Sequence, residues 1–174
     1  SELIDRDEIE EQVIAPDIKI IEDKQVVYIR IVDWYGSPES YRNAWRQLGE
    51  FGVKNGLLNK ETEWIGLSFD DPTITKPEKC RFYACFTIKE NVKPTGQFGL
   101  QEIKGGLYSI FTLKGSYSGL TKLYYHIYTS WLPTSSYNLR SGKSFELYLN
   151  HPDKVSEDEI LTEIYVPIER KRKW

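Results

Sequence analysis

The chain has 174 residues, 40% of them hydrophobic and 28% charged, with a formal net charge of −3. That is enough for one compact domain or two small ones, each with an apolar core, and the composition is that of an ordinary globular protein. The acidic balance argues against a nucleic acid held by this chain's own surface. No apolar run approaches the roughly 20 residues of a membrane span, and no signal-peptide pattern opens the sequence.

Ser1–Pro16 is acidic, ends in Pro, and is expected to be a linker or entry segment. The chain starts at Ser1 and holds no Met, from which we expect a piece of a longer protein. Ile18–Val32 is apolar and β-branched and predicts a strand, bent into a hairpin near Glu22–Lys24. Ser37-Pro38 opens a helix, with Ser as its cap and Pro at the first position. Tyr41, Ala44, Trp45, Leu48 and Phe51 form its apolar stripe, and Gly52 and Gly56 are expected to end it. Trp64–Phe69 predicts a strand, Asp70-Asp71-Pro72 a turn, and Lys79–Ile88 the next strand. Asn91–Gly96 is a loop.

The pattern then repeats. Gly99–Gly115 predicts a hairpin-like strand pair broken at Gly105-Gly106. Leu120, Leu123, Tyr124, Ile127, Tyr128 and Trp131 make a second helical stripe, which Pro133 should end. Ser144–Leu149 and Ile160–Ile168 are the last two strands. Ile65–Ile88 and Phe145–Ile168 echo one another: Pro72 falls on Pro152, Leu67 on Leu147 and Ile88 on Ile168. Each half is thus strand, helix, strand, strand. The expected fold is α+β, a pseudo-two-fold tandem of β-α-β-β modules with antiparallel sheets, one main helix per module and a cavity at the seam. The domain is expected over residues 17–169, with halves at about 17–90 and 97–169. Residues 170–174 are expected to be a solvated basic tail.

No Gly-rich phosphate loop and no nucleophile elbow is present. His126 and His151 lack a second ligand at helical spacing, and Cys80 and Cys85 do not have zinc spacing. No metal or cofactor is therefore expected. The two cysteines are expected to be small core residues of a reducing compartment, which places the protein in the cytoplasm.

One position breaks the echo: Gly66 in the first half becomes Glu146 in the second. In FELYL, Phe145, Leu147 and Leu149 face one way and are expected under the helix, with Glu146 and Tyr148 on the opposite sheet face. On an exposed face Glu146 is an ordinary surface carboxylate. In an aromatic groove it is a costly unpaired charge with a raised pKa, which a cationic ligand would relieve. Twelve Tyr, seven Phe and five Trp could supply such a groove as well as the core. The candidate lining is Tyr148, which shares the face of Glu146; Tyr165, which alternates with Glu163; Trp131 and Tyr137, flanking Pro133; and Trp34 and Tyr35 at the end of the first strand.

These pieces resemble the GyrI-like family, the effector-binding domain of bacterial AraC-type and MerR-type transcription regulators. The similar segments are VVYIR (26–30), NAWRQL (43–48), NGLL (55–58), IGLSFDDP (65–72), PEKCRFYAC (77–85), WLPTSSY (131–137), FELYLNHP (145–152) and LTEIYVPI (161–168). The resemblance implies a ligand cavity between two modules. It implies that Glu146 matches the pocket glutamate that contacts lipophilic cations in multidrug-sensing members, and that Trp131, Tyr137 and Tyr165 fall at or near aromatic pocket positions. TSSY after WLP departs from the commoner SGY-like form, and Asn138-Leu139 stands where many members are acidic.

The expected function is a ligand-sensing domain that binds a small aromatic or lipophilic, cationic molecule. DNA would be reached only through an attached helix-turn-helix module absent from this chain, and no membrane partner is expected. Two alternatives follow from the resemblance. One is a hydrolase of electrophilic small molecules, with Glu146 as general base on a water. The other is a gyrase-inhibitor-like module that contacts a target protein.

Overall fold

The computed structural model describes residues 15–32, 38–70, 76 and 79–172. The expected helix cap at Ser37, the turn at Asp71-Pro72 and the aromatics Trp34 and Tyr35 lie outside the described residues. In chain order come β1 (Asp17–Ile21), β2 (Lys24–Val32), α1 (Pro38–Lys54), β3 (Trp64–Ser68), β4 (Arg81–Ile88), β5 (Phe98–Ile103) and β6 (Gly106–Lys114). Then follow α2 (Leu120–His126), a π-helical turn (Ile127–Trp131), a last helical turn (Leu132–Thr134), β7 (Tyr137–Leu139), β8 (Phe145–Tyr148) and β9 (Leu161–Arg170). The order strand, helix, strand, strand occurs as β2-α1-β3-β4 and, with the short β7 inserted after the helix, as β6-α2-β7-β8-β9. This is the α+β class, with antiparallel pairing and few helices.

The chain divides into two compact units, which do not follow the two halves of the sequence. One unit holds residues 22–105 with 143–147, and its strands run β8-β3-β4-β2-β5. The other holds β1, residues 106–142 and those from 148 on, in the order β1-β6-β9 with β7 also on β9. Both expected hairpins are replaced. β1 pairs with β6 rather than β2, and β5 pairs with β2 rather than β6. Glu22-Asp23 lacks the Gly or Asn that a two-residue hairpin turn favours. Asp23 instead accepts a hydrogen bond from the Gly105 N–H at 2.7 Å.

In the first unit the α1 stripe docks as its spacing predicts. Ala44 and Leu48 are buried against Val27, Ile29, Ile31, Phe82, Ala84 and Phe86, with Tyr41, Trp45 and Phe51 packed alongside. Gly52 does not end the helix; it is buried inside it, while Gly56 lies just beyond with φ 63°, the left-handed conformation that terminates helices. Asp70 anchors the start of β4, accepting from the Arg81 N–H at 2.7 Å and from its Nε at 3.0 Å. Those bonds hold the Asp70 carboxyl below the usual carboxylate range.

In the second unit Leu123 and Ile127 pack on Phe111, Ile164, Val166 and Ile168. Pro133 does not end this helix. The missing proline N–H is absorbed by the π turn, in which the Leu132 N–H bonds the Ile127 carbonyl five residues back. The chain leaves helical geometry at Ser135, whose hydroxyl donates to the Leu132 carbonyl at 2.8 Å. Arg140, just past β7, then ties β6 to β9. Its Nε donates to Ile168 O at 3.3 Å, its Nη2 to Leu107 O at 3.1 Å, and its guanidinium lies 5.0 Å from the centroid of Tyr108. Gly106, at φ 121°, leaves room for that guanidinium, which a Cβ there would approach to 3.1 Å. Removing Arg140 as Ala is expected to cost about 2–3 kcal/mol, read as a lower urea midpoint, because two hydrogen bonds to a charged group are lost. Arg140→Lys should recover little of it, since an ammonium cannot reproduce the fork.

Candidate functional site

Glu146 sits in β8, beside β3 in the unit that carries α1. Which face it occupies follows from the strand alternation. On β3, Trp64 packs against the α1 cluster, whereas Ile65 and Leu67 are buried outside it. Trp64, Gly66 and Ser68 therefore face α1, and Ile65 and Leu67 face away. Phe145 and Leu147 are buried too, at 1% and 4% exposed, and neither belongs to the clusters under α1 or α2. Buried outside the α1 cluster, as Ile65 and Leu67 are, they take the face away from α1, and strand alternation then turns Glu146 toward it. The expectation that Phe145, Leu147 and Leu149 pack under a helix does not hold, and Leu149 is 48% exposed.

Glu146 is partly buried. Among the described residues no hydrogen-bond donor or cation partners its carboxylate. Burial alone pushes its pKa from 4.5 up to about 7. Desolvation of this kind disfavours the charged form, and a cation, a hydrogen-bond donor or a proton relieves it. The site can thus do one of two things near neutral pH: take up a positive group, or accept a proton from a reacting water.

The aromatics named from the sequence fall in several places. Trp131 and Tyr137 do come together: their rings stack at 6.3 Å with an interplanar angle of 16°, and Trp131 meets Phe111 edge-on at 5.1 Å. Both pack on the α2 cluster. Tyr148 is edge-on to Tyr117 at 5.8 Å. Tyr165 is turned away from Trp131 and Tyr137. Its neighbours Ile164 and Val166 join the α2 cluster, while Tyr165 points to the other face. There it meets Tyr108 at 6.1 Å and donates its hydroxyl to Glu163 Oε1 at 3.3 Å.

Three aromatics on the Glu146 side were not named as site candidates. Trp64 lies on the strand next to β8; Trp45 is 6.4 Å from it and Tyr41 6.3 Å from Trp45. Their floor is Gly66 and Ala84, paired across β3 and β4, the least bulky pair in that register. Trp45 and Tyr41 look like core residues in the helical stripe. The signal that could have found them is the Gly66-to-Glu146 exchange, because the face left bare by Gly66 is the face α1 covers.

In the other unit Thr162 is fully buried, and its hydroxyl has no hydrogen-bond partner among the described residues. A buried hydroxyl without a partner is costly, so Thr162→Val, which keeps the shape, is expected to raise stability by about 1–2 kcal/mol. Thermal unfolding of the two proteins checks this. Among the described residues, no group of three or more His, Cys, Asp or Glu side chains could hold a metal ion, and no helix is long and apolar enough to cross a membrane.

Comparison with known proteins agrees with this fold. The probable transcriptional regulator YgiV of Escherichia coli (strain K12) is 29% identical over 110 residues, which cover 62% of this chain and 68% of that protein. A DNA gyrase inhibitor of Serratia proteamaculans (strain 568) is 33% identical over 138 residues, covering 75% of this chain and 85% of that one. The C-terminal domain of EcmrR has the same fold, with a TM-score of 0.74 at 23% identity over 90% of this chain and 98% of that domain. Against EcmrR in its DNA complex the TM-score is 0.78 at 20% identity, and 98% of this chain covers only 63% of that one. This chain therefore spans less than two thirds of that DNA-bound protein. The model of the GyrI-like small molecule binding domain matches residues 15–169, and the chain belongs to that family.

Proposed function

We propose that this chain is the ligand-sensing domain of a bacterial transcription regulator. Its ligand is a small aromatic or lipophilic cation, and Glu146 is the counter-ion. The observation that carries the reading is a partly buried carboxylate with no partner among the described residues, held at a pKa of about 7. Trp64, Trp45 and Tyr41 supply ring faces on the same side of the sheet, and a cation between a desolvated carboxylate and aromatic faces gains from both. DNA is reached through an attached module of AraC or MerR type, in keeping with relatives named as transcriptional regulators and with the DNA complex of EcmrR. The ligand acts by favouring one conformation of the domain over another.

Fluorescence titration tests this with N-alkylated quinolinium dyes and neutral analogues of the same shape. Saturable binding of the cations in preference to the neutral compounds supports the reading; equal binding of both refutes the counter-ion. A second reading has one observation in its favour: a carboxyl titrating near 7 also suits a general base. Turnover of an electrophilic ester or epoxide panel, lost in Glu146→Gln, would move the assignment to hydrolysis.

A further inference from the structure

β1 ends one side of its sheet. Among the described residues its only strand neighbour is β6, so the backbone groups along its other side have no ladder. The register with β6 sets which way its side chains point. Ile18 and Ile20 lie opposite Ser109 and Leu107, and Leu107 packs on the α2 cluster. Asp17 and Lys19 lie opposite Ile110 and Tyr108, on the other face. Ile18 is 36% exposed and Ile20 82%. Among the described residues neither Asp17 nor Lys19 has an ion-pair partner. An open edge with bare apolar side chains invites another strand, and proteins usually cover or blunt it.

We infer that β1 is a docking edge for a second copy of this chain, whose own β1 adds antiparallel about a two-fold axis at Ile18. The strand selects this partner because the stretch 15–21 is its own complement in one register. With Ile18 opposite Ile18, Asp17 of each copy meets Lys19 of the other, which gives two opposite-charge pairs on one face. On the other face Ile20 of each copy meets Pro16 of the other, on either side of the central isoleucines. Ala15 meets Ile21 at the ends. Moving the axis by one residue destroys the match: at Lys19 two lysines meet, and at Asp17 two aspartates. Like charges directly opposite are destabilising, so the pairing has one favoured register. Lys and Pro ordinarily blunt an edge. Here Asp17 of the second copy answers Lys19, and Pro16, which lacks an N–H, stands near the end of the ladder. β6 already holds β1 extended, so little ordering entropy opposes the pairing. A strand this short buries little area, so the dimer is a weak one that forms at high protein concentration.

The test is sedimentation equilibrium of the full chain from about 10 µM to about 1 mM, a range that captures weak association. The wild type is expected to pass from monomer to dimer across it. Lys19→Asp sets acid against acid and Asp17→Lys sets base against base, so each should weaken the dimer by at least about 10-fold. The double variant Asp17→Lys/Lys19→Asp restores opposite charges in both pairs and should return to within about 3-fold of wild type. Lys54→Glu makes the same charge change as Lys19→Asp at an exposed position on α1, and should stay within about 2-fold of wild type. Circular dichroism confirms that each variant is folded. A protein that is monomeric throughout the range overturns the inference. A dimer that neither single variant weakens overturns it as well, because the contact is then elsewhere. Weakening in both single variants without recovery in the double variant overturns it too, since the register requires the rescue. Glu146→Gln should dimerise as the wild type does, so this inference and the ligand-sensing reading fail independently.

Discussion

Replacing Glu146 with Gln is expected to weaken lipophilic cations by about 10–100-fold and neutral analogues of the same shape by less than about 3-fold, since bonds to charged groups contribute roughly 1.5–3 kcal/mol. The same change should stabilise the unliganded protein above neutral pH. The unfolded carboxyl titrates near 4.5 and the folded one at about 7. Between those values the folded state keeps its proton while the unfolded state has lost it. The contribution of Glu146 to stability therefore falls as pH rises from about 4.5 to 7, and stays low above that. Gln has no such slope. Wild type and variant should unfold at similar temperatures at pH 4, with the variant higher by on the order of 5 °C at pH 8, since each kcal/mol moves Tm by roughly 2–4 °C at this chain length. Cation affinity in the wild type should rise as pH increases through 7, because binding needs the ionised form. A variant with lower Tm at pH 8 and unchanged cation affinity would make Glu146 an ordinary structural residue.

Phe86→Ala is expected to be the most damaging single core change of those considered, costing about 3–5 kcal/mol. Phe86 is fully buried at the centre of the α1-covered face, and its ring lies 5.6 Å from that of Trp64. Trp64 in turn is 6.4 Å from Trp45. Deleting the Phe86 ring leaves a cavity beneath the aromatics proposed to face the ligand, so Trp64 can settle into the void. Urea unfolding should show the full loss of stability, and cation binding should weaken in the material that remains folded. Phe86→Leu, which conserves most of the volume, should cost less than about 1.5 kcal/mol and leave binding near normal. A Phe86→Ala protein that keeps both its midpoint and its affinity would show that Trp64 does not depend on this support.

The proposed sensor thus carries an unfavourable charge in its empty state and releases that cost when a cation binds. The Thr162 hydroxyl and the Glu146 carboxylate are both buried polar groups lacking a partner among the described residues, but they differ in reach. Thr162 is sealed, and no function follows from its hydroxyl. Glu146 is partly open, so the same physical cost is available to a ligand.

Local patterns determined a good deal by themselves. The α1 stripe from Tyr41 to Phe51, the alternation in FELYL and the repeated strand-helix-strand-strand order all depend on period and turn chemistry over a few residues, and a single sequence displays those. The Gly66-to-Glu146 exchange singles out one carboxylate by sequence alone. What the tertiary structure alone decided is pairing and facing. β1 leaves β2 for β6, and β5 leaves β6 for β2, because hairpin closure competes with long-range ladders that local signals do not report. Glu146 faces α1 rather than away from it, because Phe145 and Leu147 on either side of it are buried outside the α1 cluster. Tyr165 turns from Trp131 and Tyr137, because alternation on β9 gives the α2 side to Ile164 and Val166. The π turn carries the helix past Pro133, since one wider turn removes the need for the N–H that proline lacks. Residue types and spacing specify which elements form and which group is out of place; only long-range register, fixed by the sum of many distant contacts, decides what stands beside it.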